Sequence, residues 1–403
     1  MAMVVQETTE TGIPVVAFNP QVGPPKPLGG SMDVYDDLRE QFPGMFRSSE
    51  GDRGFWVLTS CELVRETFQR PDLFSNQTGP VLHPDQWMLL IPENLDPPSH
   101  TRWRQLLSPF FSPKRIAEMD AGVRHRAAEL VESLVDRGEC DYVYDFSRVY
   151  PTRIFLDIMG VGSERLDEFM EWEDNILHTE QTEAGLEIQM AAMNSVIAMF
   201  TEEIAERRKR PGVGLVSEAL TWRIDGEAIP DSDLLSMCLL MFMAGLDTVT
   251  NELAYSTWHL ATHPDDRKRI VDDPGLIPSA IEEFLRYYPI VTPPRQVAAD
   301  IEFHGCPMKK GDMVFLPLAV ANRDPAEFPD AGRVIIDRPD NHHIGFGAGP
   351  HRCLGSHLAR REMRAALEEW HARIPNYSLV PGVELSEYVG VQIGFPSLPL
   401  TWK

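Results

Sequence analysis

The sequence is short of positive charge: 37 Lys and Arg stand against 61 Asp and Glu, a net charge of −24 over 403 residues. Such a chain repels nucleic acid and anionic lipid unless its basic residues cluster locally. A neutral or apolar small molecule suits it better. Cysteines are few, scattered and odd in number (Cys61, Cys140, Cys238, Cys306, Cys353), with no CxxC pair, which argues against a disulfide framework and a tetrahedral zinc site. The first twenty residues carry neither a basic leader nor a long apolar run, so the expectation is a cytoplasmic chain without a membrane anchor. With no Gly/Ser linker, low-complexity tract or repeat to divide it, the chain is expected to form one domain over 31–403 behind an N-terminal extension, 1–30. A flavin or nicotinamide fingerprint and an iron–sulfur cysteine array are also missing. Any chemistry that consumes electrons therefore needs a separate donor.

What is present is an ordinary globular composition, 43% hydrophobic and 24% charged. Helical periodicity spans 115–136, 165–208, 232–262, 276–288 and 356–373, between breaks rich in Pro and Gly. Strand signals are fewer: FWVLTS at 55–60, VAADIEFHG at 297–305 and DMVFLPLAV at 312–320, with a turn at Lys310-Gly311. The pattern predicts a mainly α protein with small β-sheets, an α+β fold whose helix-rich core surrounds its site.

The most informative stretch is GFGAGPHRCLG at 345–355, followed directly by an amphipathic run carrying Leu358, Ala359, Met363, Ala366, Leu367 and Trp370. A glycine-rich loop here delivers Cys353 to a helix start, where unpaired N–H groups and the helix dipole favour a thiolate. Glycines also let backbone approach a flat cofactor closely. Phe346, Gly349, Cys353 and Gly355 reproduce the spacing of the cysteine loop of the cytochromes P450, and the chain is identified as resembling that family. The resemblance implies a buried haem b, with Cys353 ligating its iron and Phe346, His351 and Gly355 beside it. Thiolate ligation favours O–O cleavage. Activity is implied too: insertion of one oxygen atom of O2 into a small or medium apolar substrate, by hydroxylation or epoxidation.

Further segments carry the same resemblance. Glu283 and Arg286 lie three apart on one helix face and can pair; the family has a buried lock here, with Arg338 as third member and Arg323 as competitor. Within 232–262, Ala244-Gly245-Leu246-Asp247-Thr248 matches the oxygen-activating motif, which gives Thr248 a hydrogen bond to the reacting dioxygen and Asp247 the relay of protons. A mid-helix glycine costs about 1 kcal/mol relative to alanine, which a local widening of the helix would offset. His100 and Arg104, on one helical face, join Arg295 and His351 as grips for the two haem propionates.

Stretches such as GLDTV at 245–249, EFHG at 302–305 and HLARRE at 357–362 resemble the camphor-hydroxylase branch. Met88 stands near the place where that branch has a tyrosine, so camphor is not carried over. By family position the pocket comprises Trp87, Met88, Leu90, Leu240, Met243, Ala244, Val291 and Ile393, an apolar lining that suggests a terpenoid-like substrate. Arg102, Arg352, Arg360, Arg361 and Arg364 are expected to form a basic patch for an acidic ferredoxin, itself served by a reductase. The protein is expected to be a monomer. A peroxide-driven peroxygenase is disfavoured by the Asp247-Thr248 pair, and a non-catalytic haem sensor or carrier by the cysteine ligand.

Overall fold

The computed structural model describes residues 5–9, 11–20, 26–27, 30–85, 88–179, 182–389 and 392–402. Helices dominate. The pattern over 115–136 becomes Pro113–Leu134, which starts with a proline and is capped by Ser112, whose Oγ accepts from the Arg115 N–H at 3.3 Å. The long period over 165–208 is two helices, Leu166–Leu177 and Glu183–Lys209, the second capped by the Thr182 hydroxyl. Ile277–Tyr287 and Ser356–Arg373 follow their sequence patterns within a residue. Ser356–Arg373 lies along Pro113–Leu134 and also against Ile277–Tyr287. Its buried face carries Met363, Ala366, Leu367 and Trp370.

The 232–262 pattern resolves into Asp231–Gly245 and Asp247–Thr262, broken at Leu246 (φ −97°, ψ −67°). By length and composition this run could cross a bilayer. Nearly every residue of its second half is instead buried among neighbouring helices.

Beside the helices stands a seven-stranded sheet in the order Val5–Thr8, Pro14–Val16, Met45–Ser48, Phe55–Leu58, Met313–Phe315, Pro294–Val297, Phe74–Ser75. Two of its strands lie within the expected N-terminal extension, because Val15, Val16 and Phe18 are apolar and bury there. The two later strand patterns are shorter than expected. Residues 297–305 split into the end of Pro294–Val297 and a separate strand, Ile301–Phe303, which pairs with Cys306–Met308. Residues 312–320 leave the sheet after Phe315, and Pro317 caps a short helix, Leu318–Asn322.

Candidate active site

The cysteine loop is built from tight turns. Gly349 has φ +69°, and a Cβ there would lie 2.2 Å from the Phe68 carbonyl oxygen, so only glycine fits. The Cys353 N–H donates to the Phe346 carbonyl at 2.9 Å, and helix Ser356–Arg373 begins shortly after it. Cys353 is solvent-accessible although set deep among protein atoms; the other four cysteines are buried. Burial pushes the Cys353 thiol up, against the opposing pull of the Gly355 N–H, Arg104 and Arg352.

Four basic side chains meet beside this loop. His100 and His351 stack at 3.8 Å between ring centroids. Arg295 is 3% exposed, its guanidinium donates to its neighbour's carbonyl (Pro294, 2.7 Å) and it lies over the Phe68 ring. Arg104 donates to the Arg352 carbonyl at 2.9 Å. Among the described residues none of the four has a carboxylate hydrogen-bond partner, and His100 Nδ1 and His351 Nε2 are buried without any partner. Burial, together with the neighbouring cations, lowers His100 to about 4 and His351 to about 2, and burial lowers Arg295 to about 10. Unsatisfied donors clustered this way call for an anion. A haem, with two carboxylates beside a thiolate-ligated iron, fits these residues.

On the broken helix, the Thr248 hydroxyl donates to the Ala244 carbonyl at 2.9 Å, and Ala244 and Gly245 are exposed. The expected widening falls at Leu246, a one-residue interruption between Asp231–Gly245 and Asp247–Thr262. A Cβ on Gly245 would press Phe155 at 3.3 Å. Gly245 and Leu358 line a common cavity of about 50 Å³, so the break adjoins the helix that follows Cys353. Asp247 is 1% exposed, with the Tyr388 hydroxyl at 3.3 Å and His178 Nε2 at 3.3 Å. His178, Tyr388 and neighbouring Glu173 are invisible to motif reading. A glutamate on the buried face of a helix that a histidine ends is the one available signal.

Glu283, Arg286 and Arg338 meet in the core. Arg286 grips Glu283 with two bonds of 2.8 Å and Arg338 Nε reaches it at 2.9 Å. Arg323 instead pairs with Asp36 at 2.6 Å and stacks on Tyr287.

Of the expected pocket residues, Met88 is 36% exposed, Ala244 is exposed, and Leu90, Leu240, Met243 and Val291 are half-buried. Trp87 lies outside the described residues. Ile393 is completely buried in the main core and its N–H bonds to the Ile290 carbonyl. Strand alternation turns adjacent Gln392, which bridges to Val291, to the opposite side. The arginines expected to form a basic patch have partners within the chain. Arg102 pairs with Asp225, Arg360 with Glu282 (2.6 Å), Arg361 with Asp120 and Arg364 with Glu368 (2.7 Å), while Arg352 donates to the Ser356 hydroxyl. On so acidic a chain, most of these arginines find acids of their own.

A helix-rich fold that presents a cysteine loop and four anion-seeking bases defines a haem-binding oxidoreductase. The Cytochrome P450 family model matches residues 275–370. "Probable cytochrome P450 127A1" of Sinorhizobium fredii is 33% identical over 372 residues, covering 92% of this chain and 88% of that one. "Mycinamicin IV hydroxylase/epoxidase" of Micromonospora griseorubida is 35% identical over 315 residues, 77% of this chain and 79% of that one. The crystal structure of CYP101J2 superposes with a TM-score of 0.87 at 29% identity, covering 99% of this chain and 100% of that one. The chain belongs to the cytochrome P450 family: it is a haem-b monooxygenase.

Proposed function

We propose that this enzyme uses the Cys353 loop as the iron-ligating side of its site and the Leu246 break as the oxygen side, to oxidise a compact apolar substrate of terpenoid type. The haem supplies dioxygen activation, with the cysteine thiolate promoting O–O cleavage. His100, Arg104, Arg295 and His351 hold its carboxylates, which satisfies the His100 and His351 ring nitrogens that otherwise have no partner. Thr248 is the hydroxyl at the mouth of the break and Asp247 the acid behind it; together they move protons inward while the apolar Met243, Ala244 and Val291 exclude bulk water. Glu283, Arg286 and Arg338 serve the fold. Electrons come from a ferredoxin, which meets the face carrying Arg352 and Arg360; the chain has no redox-cofactor motif of its own besides the cysteine loop.

The observation that carries this reading is the Thr248 hydroxyl parked on the Ala244 carbonyl at 2.9 Å, one residue from buried Asp247. Thr248→Ala leaves the visible spectrum of the reduced protein with carbon monoxide (the carbonyl spectrum) and substrate binding intact and diverts electrons to hydrogen peroxide. Oxygen uptake, peroxide and product measured together check it, and unchanged coupling refutes the role of Thr248.

A further inference from the structure

Glu282 and Glu283 are neighbours on helix Ile277–Tyr287 with different duties. Glu283 belongs to the core lock, whereas Glu282 meets the start of the cysteine loop. His343 Nε2 lies 3.0 Å from one carboxylate oxygen of Glu282, and the Arg360 guanidinium, from helix Ser356–Arg373, donates to both oxygens at 2.6 and 2.7 Å. The other ring nitrogen of His343, Nδ1, accepts from the Gly345 N–H at 3.0 Å. An accepting Nδ1 leaves the ring proton on Nε2, which donates it to Glu282. Gly345 opens the loop that leads to Cys353, and a Cβ there would lie 2.6 Å from the Leu285 carbonyl oxygen. The amide before it, that of Ile344, donates to Asn322 Oδ1 at 2.8 Å, so two consecutive N–H groups are held by side chains as the chain enters the loop. Arg360 also lies over the Phe346 ring, 4.5 Å from its centroid, and the Phe346 carbonyl accepts from the Cys353 N–H at 2.9 Å. One carboxylate is thus joined to the loop by two routes.

We propose that Glu282 is a positioning residue for Cys353, anchoring the cysteine loop at Gly345 through His343 and at Phe346 through Arg360. The inference rests on the reading of Cys353 as the iron ligand. Groups that orient a metal ligand from one layer further out typically govern metal binding by roughly ten- to a hundredfold. Arg360 and Glu282 are 28% and 31% exposed, and an ion pair so open to water adds little to stability. His343, 3% exposed, is the buried link. The network therefore sets direction more than it supports the fold. Burial alone would raise the Glu282 carboxyl, but the bonds from Arg360 and His343 bring it down to about 2, so it accepts as a carboxylate throughout the neutral range.

Variants of the haem-loaded protein test this. His343→Leu removes the acceptor for Gly345 and the donor to Glu282; Glu282→Gln keeps an acceptor for His343 but loses the charge that holds Arg360. Both are expected to melt with wild type, yet in mild denaturant their carbonyl spectrum passes from the thiolate-ligated form to the form without thiolate roughly tenfold faster. His343→Gln, which offers a carbonyl to Gly345 and an amide N–H to Glu282, restores the wild-type rate. In the double variant E282Q/H343L the acceleration is smaller than the product of the two single effects, because both act on one path. Hydrogen exchange, read by mass spectrometry, quickens over 344–353 in the single variants. Unchanged thiolate loss and unchanged exchange over 344–353 overturn the proposal, and so does a lowered melting temperature with no change in thiolate loss, which assigns Glu282 to scaffolding. If wild type itself shows no thiolate-type spectrum, the reading of Cys353 fails, and exchange over 344–353 alone decides whether Glu282 anchors the loop.

Discussion

Two buried acids in this fold receive opposite treatment. Glu283 is fully buried and saturated: Arg286, Arg338, the Ile335 N–H at 2.7 Å and Asn341 Nδ2 at 3.1 Å all donate to its carboxylate. Arg286 goes on to bind the carbonyls of Asn322, Ala331 and Arg333 at 2.8 to 3.0 Å, tying a distant loop to one helix. Glu173 is nearly as deeply buried, and among the described residues it receives no hydrogen bond. A saturated carboxylate is fixed in charge and position and suits scaffolding. An unsatisfied one can change protonation and suits chemistry.

The contrast can be broken at its strong end first. Glu283→Gln removes the charge that both arginines face, at a cost of about 3–5 kcal/mol. The expected result is a steep loss of thermal stability and of haem-loaded protein, read by melting curves and by the haem-to-protein absorbance ratio. Asp247→Asn acts beside the other acid: the fold and carbonyl spectrum survive, turnover drops roughly tenfold to a hundredfold, and Glu173, relieved of a negative neighbour, ionises at lower pH than in wild type. Stopped-flow turnover and an infrared pH titration check both halves. The smallest effect belongs to His178→Gln. The folded-state value of His178 is raised from 6.5 to about 9, so its stabilising contribution is complete below pH 6.5 and disappears as pH rises through 9. Wild type should outmelt H178Q at pH values below that window and match it above.

Much of this molecule is legible in its sequence. Apolar periodicity places Pro113–Leu134, Ile277–Tyr287 and Ser356–Arg373 because each buries one continuous stripe. The cysteine loop and Glu283-x-x-Arg286 are short-range patterns and can be read locally. The interruption at Leu246 is signalled by the mid-helix Gly245 beside it, although the apolar run continues through. Pocket positions are harder to read, because a one-residue step along a strand such as Ile393–Gly394 turns a side chain to the other face. The Glu173 group is out of reach for another reason: its members come from separate helices and a C-terminal strand, and only folding brings them together.

For the ferredoxin docking proposed above, the paired arginines around helix Ser356–Arg373 have a consequence. Arg360 and Arg364 already hold Glu282 and Glu368, so every ion pair they form with a visiting protein replaces one inside the chain. Association there is partner exchange at nearly constant ion-pair number. Added salt then loosens the old pairs and the new ones together, and its effect on affinity stays shallower than the number of arginines would imply. Discrimination among donors falls to shape: the one that wins seats its carboxylates where Glu282 and Glu368 can swing clear.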